Sequence, residues 1–140
     1  RLAIKAGPDL VSPNVFEAEA LIGHEFGDDE DFQNACRQLG RMGAGSAIIT
    51  HASGCYAYLK DGSNGESTFK VQTPPLDPIS TVGSGDSFLA GFVSARIAGK
   101  GHEDCLRYGV ACGAANTQKY GAGVFDMHDV ERLLSKVTVE

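Results

Sequence analysis

The residues best placed to do chemistry stand in one short segment, Thr81–Phe92, in which two glycines flank a serine just ahead of an aspartate. Gly83 and Gly85 let the backbone turn tightly and come close to a ligand. A helix that begins there would aim its unpaired N–H groups and the positive end of its dipole at the same point, which makes the turn a candidate anion site. Asp86, in the first turn of that helix, could accept a proton from an attacking hydroxyl as a phosphoryl group arrives.

A simpler interpretation of Gly83–Asp86 is a helix N-cap behind a glycine turn, and these four residues alone favour it. The wider segment, however, resembles the T-x-G-A/S-G-D signature of the ribokinase-like (PfkB) carbohydrate kinases. This resemblance implies that Asp86 is the catalytic base and that Thr81 lies at the nucleotide. It also implies that the transferring phosphate is held by the backbone amides of Gly83, Ser84 and Gly85.

Asn14 and Glu17 match a second element of that family, N-x-x-E. Taken alone, an Asn followed three residues later by a Glu also fits a helix capping box. The resemblance implies that both side chains are associated with magnesium (Mg2+) and its water shell near the phosphates. Magnesium and ATP are therefore the expected cofactors.

The segment from Thr50 to Gly54 corresponds to the family's T/S-x-G-x-x-G loop, which touches the nucleotide. The resemblance implies nucleotide contacts at Thr50 and Gly54. The sequence departs from the pattern at Ala52, where a glycine is expected. The second glycine is either displaced by one residue, to Gly54, or lost, with Cys55 in its place. A Cβ at these positions would narrow the approach of a phosphate.

Small residues fill the segment from Gly109 to Thr117, in which Gly109 and Gly113 lie on one helix face. Close helix packing would account for that spacing without any ligand. In the family this helix and the following loop flank the adenine, and the segment Ala115–Gly123 resembles the branch with 1-phosphofructokinase and tagatose-6-phosphate kinase. The resemblance implies adenine contacts at Gly113 and Asn116.

The elements that would position these residues alternate between strands and helices, which indicates the α/β class. The predicted strands are Leu10–Val11, Ser46–Thr50, Cys55–Leu59 and Ser67–Gln72, with a hairpin loop at Asp61–Gly65. The predicted helices are Asn14–Ile22, Asp29–Met42, Asp86–Ile97, Glu103–Lys119 and Asp129–Lys136. The resemblance implies a Rossmann-like ribokinase fold, of which the chain would be the C-terminal, nucleotide-binding portion.

Length and charge exclude several classes of protein. The 140 residues fit one ordinary domain. A net charge of −6 would repel nucleic acid, so nucleic acid is not an expected partner. No run approaches the ~18 apolar residues of a membrane-spanning helix, so a membrane is not an expected partner either. The acidic run Asp28–Asp31 is better explained by a solvated helix start than by a metal site.

The cysteines and histidines give no metal-binding spacing. The four cysteines form no C-x-x-C pair, which predicts buried free thiols and a cytoplasmic location. They are Cys36, Cys55, Cys105 and Cys112. The histidines are too far apart in sequence to predict a zinc site. They are His24, His51, His102 and His128.

The expected function is ATP-dependent phosphoryl transfer to a hydroxyl of a sugar or sugar phosphate, with 1-phosphofructokinase-like chemistry favoured. The alternative is a non-catalytic nucleotide-binding or regulatory module derived from such a kinase, against which Asp86 argues because a pure binder needs no base. The resemblance covers only the C-terminal half of such an enzyme, so we expect the sugar-binding part and lid to be absent and the chain alone to be inactive. Its open sheet edge would favour association, with a homodimer as the candidate assembly.

Overall fold

The computed structural model describes residues 9–61, 65–120 and 126–140, and they divide into two compact units. The first unit holds the described residues between 9 and 51 and between 55 and 70, and the second holds residues 52–54 and those from 71 onward. Most of the predicted hairpin loop at Asp61–Gly65 and the end of the segment Ala115–Gly123 lie outside the described residues.

The first unit contains a sheet and two helices. Its elements are β1 (Leu10–Val11), α1 (Val15–Ile22), α2 (Asp29–Leu39), β2 (Ser46–His51), β3 (Gly54–Asp61) and β4 (Gly65–Gln72). The strands lie side by side in chain order, and β1 runs parallel to β2 with Leu10 opposite Ser46. The first residue of β3 and the last two residues of β4 belong to the second unit. The predicted strands are all present, and β3 and β4 are longer than predicted.

Local caps fix both helices of the first unit. Asn14 accepts a hydrogen bond from the N–H of Glu17 and so caps α1, which ends at Gly23 in the left-handed conformation (φ 101°). Asp28 caps α2 in the same way, through the N–H of Asp31. The acidic run therefore starts a helix, as predicted. The core of this unit consists of Ala18, Ala35, Cys36, Leu39, Ala44, Ala47, Ile49, Tyr56 and Tyr58.

Helix α2 does not run to Met42 as predicted. It ends at Leu39 and continues as a widened turn over Gly40–Ala44, in which Gly43 has φ 130°. The buried ring of Tyr58 lies so close to Gly40 that a Cβ there would stand 2.7 Å from its Cε1 atom. The end of the helix is thus set by a tertiary contact that periodicity along the chain does not reveal.

The second unit is mainly helical. Its elements are α3 (Ser84–Ile97), α4 (His102–Asn116), α5 (Met127–Leu134) and a short strand β5 (Thr138–Val139). Strand β5 is not among the predicted elements, and it pairs antiparallel with the end of β4 through Val71 and Val139. Helix α4 ends at Asn116 rather than Lys119. Helix α5 was predicted at Asp129–Lys136, but it begins at Met127, because Asp126 caps it, and it ends at Leu134.

Helices α3 and α4 pack closely because glycines stand at their contact. A Cβ on Gly91 would lie 2.8 Å from the Sγ atom of Cys112, and one on Gly109 would lie 2.9 Å from the carbonyl oxygen of Phe88. A Cβ on Gly113 would lie 3.1 Å from the carbonyl oxygen of Ser84. The interpretation of this small-residue segment as a close helix contact is therefore confirmed.

All four cysteines are free and buried, as predicted. Burial raises the pKa of the Cys36 thiol to about 12 and that of the Cys112 thiol to about 11, so both stay protonated and inert at neutral pH. Across the described part of the chain, no helix is long and apolar enough to cross a membrane. The same residues include no group of three or more histidine, cysteine, aspartate or glutamate side chains that could hold a metal ion.

Candidate active site

The turn ahead of α3 is built around Gly83, whose φ of 79° lies in the left-handed region. Glycine adopts this conformation without the steric cost of a Cβ. The N–H of Ser84 donates to the carbonyl of Thr81 across the turn, at 3.2 Å. The N–H of Ser87 donates to the carbonyl of Gly83 at 2.9 Å and closes the first turn of the helix. Helix α3 therefore begins at Ser84, ahead of the predicted Asp86.

The amides of Gly85 and Asp86 lie at the open N-terminal end of α3. They occupy the second and third helical positions, whose N–H groups have no acceptor within a helix. Among the residues that the structure describes, neither amide has another protein acceptor. Gly85 is exposed, and a Cβ there would meet nothing within 4 Å. These amides and the helix dipole together can receive an anion.

Asp86 is exposed and stands one residue beyond Gly85. Within the described residues its carboxylate has no hydrogen-bond or ion-pair partner. The side chain is not turned inward to a structural partner, so it is accessible to a substrate. A carboxylate in this state is an acceptor for a proton from an incoming hydroxyl.

The C-terminal end of α4 holds the segment that leads into this turn. The carbonyl of Thr117 accepts hydrogen bonds from the N–H groups of Ile79 and Ser80, at 2.7 and 3.1 Å. The side-chain amide of Asn116 donates from Nδ2 to the carbonyl of Val82 at 2.7 Å. The path of residues 79–83 is thus fixed by hydrogen bonds to one helix end.

Asn116 also reaches into α3 itself. Its Oδ1 accepts a hydrogen bond from the hydroxyl of Ser87 at 3.1 Å, and its Nδ2 lies 3.4 Å from the Oγ of Ser84. Asn116 and Ser87 are both buried, and the side chain of Asn116 is fully so. Buried polar groups of this kind are stable only when hydrogen-bonded, so the network specifies the geometry of the turn.

The first unit brings together the other predicted residues, Asn14, Glu17 and Thr50. Asn14 and Glu17 form a reciprocal capping box, with the Asn14 N–H 3.0 Å from Glu17 Oε2 and the Glu17 N–H 2.9 Å from Asn14 Oδ1. Thr50 lies opposite Asn14 in a parallel bridge, and its N–H donates to the carbonyl of Pro13 at 3.1 Å. The end of β2 therefore positions the start of α1.

Comparison with known proteins decides the family. Residues 2–129 match the pfkB family of carbohydrate kinases. The chain belongs to this family. The family membership predicted from the T-x-G-S-G-D segment is thereby confirmed, and the homologues give no support to a non-catalytic module.

Three PfkB-type relatives show how far the likeness extends. A 1-phosphofructokinase of Borreliella burgdorferi is 31% identical over all 140 residues, which cover 44% of that protein. Phosphofructokinase-2 of Escherichia coli superposes with a TM-score of 0.80 at 26% identity, over 95% of this chain and 42% of that one. Arabidopsis thaliana ribokinase, complexed with ribose and ATP, superposes with a TM-score of 0.72 at 27% identity, over 90% of this chain and 40% of that one.

The predicted α/β ribokinase fold is therefore confirmed for the shared part. The chain spans less than half the length of each of these PfkB relatives. Its two units hold the candidate residues in two groups. Asn14, Glu17 and Thr50 lie in the first unit, and Gly54, Thr81, Gly83–Asp86, Gly113 and Asn116 lie in the second.

Two residues predicted to contact adenine have other surroundings in this PfkB chain. Gly113 is buried against Ser84 and Phe88 at the contact between α3 and α4. Asn116 points its side chain into the network described above and exposes none of it. Their contact with adenine stays a prediction, and the observed geometry gives both a structural reason to be present.

Gly54 also has a reason to be glycine that involves no ligand. Its φ is 152°, and a Cβ would lie 1.8 Å from the carbonyl oxygen of Val71. Beside it, the N–H of Thr73 donates to the carbonyl of Ser53 at 2.7 Å. The backbone at Gly54 therefore crosses the end of β4 at a place where no side chain fits. The nucleotide contact at Gly54 stays a prediction.

Sequence reasoning missed Ser87 and the carbonyl of Val82. Both owe their importance to Asn116, which is distant along the chain but adjacent in space. One signal could have drawn attention to Ser87, because a polar residue within an apolar helix face needs a partner when it is buried. The partner itself could not be identified without the packing of α4 on α3.

Proposed function

We propose that the protein transfers the terminal phosphoryl group of ATP to a hydroxyl of a sugar phosphate, with 1-phosphofructokinase-like chemistry favoured over other carbohydrate kinase reactions. The observation that carries the proposal is the accessible, unpartnered carboxylate of Asp86 next to the unpaired amides that begin α3. A 1-phosphofructokinase identical at 31% of positions supports the choice of substrate class. Membership of the pfkB family supports the kinase reaction itself.

In this reaction Asp86 takes the proton of the attacking hydroxyl. The hydroxyl oxygen forms a bond to the terminal phosphorus of ATP while the bond from that phosphorus to the bridging oxygen breaks, and ADP leaves. Negative charge on the transferred group is stabilised by the N–H groups of Gly85 and Asp86. The resemblance implies the amides of Gly83 and Ser84 as well, but the Ser84 N–H donates to the carbonyl of Thr81, so in this proposal Gly83 and Ser84 form the turn that holds the two donors in place. Donors fixed before the reaction need no reorganisation when the charge arrives, which is why such a turn accelerates the transfer.

The first unit offers one group suited to magnesium. Carboxylate oxygens are preferred ligands of this ion, which keeps most of its bound water. Glu17 uses Oε2 in the capping box and has its second carboxylate oxygen left for a metal-bound water, while Asn14 holds the helix start. A bound magnesium ion would neutralise negative charge on the phosphates of ATP. In this proposal Glu17 contacts the hydrated magnesium ion, and Asn14 orients the side chain of Glu17.

The remaining assignments are part of the same proposal. Thr50, Gly54 and Thr81 are proposed to line the nucleotide, and Thr81 is exposed beside the turn of Gly83. A cytoplasmic location is supported by the four free thiols, which persist in a reducing compartment. A homodimer remains the candidate assembly.

The test is Asp86→Asn in the full-length protein, with a matched control that the chain itself provides. Asp86 is the third residue of α3 behind the N-cap Gly83, and Asp104 is the third residue of α4 behind the N-cap Gly101. Asp104→Asn therefore makes the same charge change at the same helical position. We expect Asp86→Asn to lower kcat about a hundredfold or more and Asp104→Asn to leave it within about threefold.

Activity would be measured by ADP release with fructose 1-phosphate, fructose 6-phosphate, tagatose 6-phosphate and ribose as acceptors. Circular dichroism and thermal unfolding of each variant establish that it is folded. A kcat for Asp86→Asn within a few-fold of the unaltered enzyme would remove Asp86 as the base. Absence of turnover with every acceptor in the unaltered protein would contradict the proposed function.

A further inference from the structure

The most unusual polar residue of the second unit is Asn116, which is fully buried at the end of a helix rich in small and apolar residues. Its side chain contacts Val82, Ser84 and Ser87, which surround the turn at Gly83. We propose that Asn116 is a positioning residue for phosphoryl transfer, which holds the first turn of α3 in the form that presents its amides to the phosphate. This inference rests on the proposed function and replaces the predicted contact of Asn116 with adenine.

The carbonyl of Val82 is the decisive contact. It stands four residues before Asp86, so it is the group to which the Asp86 N–H would donate if the helix began one turn earlier. Instead it accepts a hydrogen bond from Asn116 Nδ2 at 2.7 Å, while Gly83 adopts φ 79°. Asn116 thereby provides an alternative partner for this carbonyl. The Asp86 amide is left for a ligand.

The orientation of the Asn116 side chain is fixed by what its neighbours can donate or accept. A backbone carbonyl only accepts, so the NH2 group must face Val82. The Oδ1 atom then faces Ser87, whose hydroxyl donates to it at 3.1 Å. An ionised aspartate of the same shape would place an oxygen without a proton against the carbonyl oxygen of Val82 and could not hold it. Holding the Val82 carbonyl therefore requires the side-chain amide of Asn116, and not only the volume of that side chain.

Asn116 can contact the turn at Gly83 because α3 and α4 pack closely against each other. Gly113 lies one turn before Asn116 on α4, and a Cβ there would stand 3.1 Å from the carbonyl oxygen of Ser84. A larger residue would push α4 away from the start of α3 and lengthen the hydrogen bonds of Asn116. Gly113 and Asn116 therefore act together on the turn, and neither needs to touch the nucleotide.

The experiment measures two quantities in the full-length protein with Asn116→Ala and Asn116→Asp. The first is hydrogen exchange of the Ser84 and Ser87 amides, which are the hydrogen-bonded amides of the turn. The second is the separation of kcat from the KM for ATP. Asn34→Ala is the control, since Asn34 is an exposed helical asparagine of the first unit.

We expect both Asn116 variants to speed exchange at Ser84 and Ser87 by about tenfold or more. We also expect kcat to fall by about tenfold or more while the KM for ATP stays within about threefold, because positioning acts on the transition state and an adenine contact would act on binding. Asn34→Ala should change neither quantity. If Asn116→Ala does not fold, Ser87→Ala tests the same network and should shift both quantities in the same direction.

The proposal is overturned if the Ser84 and Ser87 amides exchange at the same rate in the folded variants as in the unaltered protein, whatever happens to the activity. The proposal is also overturned if exchange is faster but kcat is unchanged. A raised KM for ATP with kcat unchanged would overturn it as well and would favour the adenine contact instead. The proposed function fails separately, if the unaltered protein phosphorylates no acceptor. Hydrogen exchange then decides by itself whether Asn116 holds the turn.

Discussion

Gly109 of α4 lies so close to Phe88 of α3 that a Cβ at position 109 would stand 2.9 Å from the Phe88 carbonyl oxygen and 3.1 Å from its ring. Neither neighbour can move freely, because the oxygen belongs to a helix backbone and the ring is buried. We therefore expect Gly109→Ala to force the two helices apart. The free energy of unfolding should fall by about 1–3 kcal/mol, as measured by chemical denaturation.

A matched control for Gly109→Ala is Gly85→Ala, followed for stability alone. Gly85 is also a helical glycine, but a Cβ there meets nothing within 4 Å. Alanine is the better helix former by about 1 kcal/mol in a helix interior, so this variant should lose no stability. Equal stability of the two variants would contradict the close contact between α3 and α4.

The first unit has a comparable contact between Gly40 and Tyr58. A Cβ on Gly40 would stand 2.7 Å from the Cε1 atom of the fully buried tyrosine ring and 3.1 Å from the carbonyl oxygen of Gly45. Gly40→Ala should lower the free energy of unfolding by about 1–3 kcal/mol, because a fully buried ring in a close-packed interior cannot shift without cost. Thermal and denaturant unfolding of the purified variant would measure this loss.

Two further variants separate the steric effect at Gly40 from a general intolerance of alanine. Gly27→Ala places a Cβ in ordinary contact, 3.5 Å from Asp31 Oδ2, and should be neutral. Tyr58→Leu combined with Gly40→Ala should cost less than the sum of the two single changes, by about 0.5 kcal/mol or more, because each relieves the other. Additive losses would show that the ring does not limit position 40.

Elements whose signals are local were predicted well from the sequence. Asn14 and Gly23 mark the two ends of α1 because a capping side chain and a left-handed glycine act within a single turn of helix. The glycine turn at Gly83 and the position of Asp86 in the first turn of α3 were predicted for the same reason. Such signals depend on neighbours along the chain, which the sequence displays directly.

Features set by tertiary contacts were missed or misplaced. The end of α2 depends on Tyr58, and β5 exists because Val139 pairs with Val71. The partner of Ser87 is Asn116, a pairing that was not predicted, while the adenine contact that the resemblance implies for Asn116 stays a prediction. In each of these cases the deciding group lies far away in sequence, and one sequence alone does not indicate which distant residue will be the neighbour.

Asp29, at the start of α2, connects the helix to β3 and β4 and should make stability depend on pH. Its carboxylate lies 2.9 Å from Lys70 Nζ and accepts a hydrogen bond from the hydroxyl of Tyr56. Lys70, and after it Tyr56, hold the pKa of Asp29 below its usual value of 3.8. A carboxylate with a lowered pKa in the folded state stabilises the protein above the unfolded-state pKa, and this stabilisation is lost as the pH falls through the folded-state pKa.

Asp29→Asn should therefore lower the midpoint of thermal unfolding at about pH 7 and have progressively less effect as the pH falls below about 4. Asparagine can still accept the hydrogen bond from Tyr56, so the change isolates the charge that faces Lys70. Glu30→Gln removes a charge from the same helical turn and controls for the helix dipole, which acts on both residues alike. A difference between Asp29→Asn and the unaltered protein that is constant from pH 7 to pH 3 would show that the ion pair with Lys70 does not stabilise the fold.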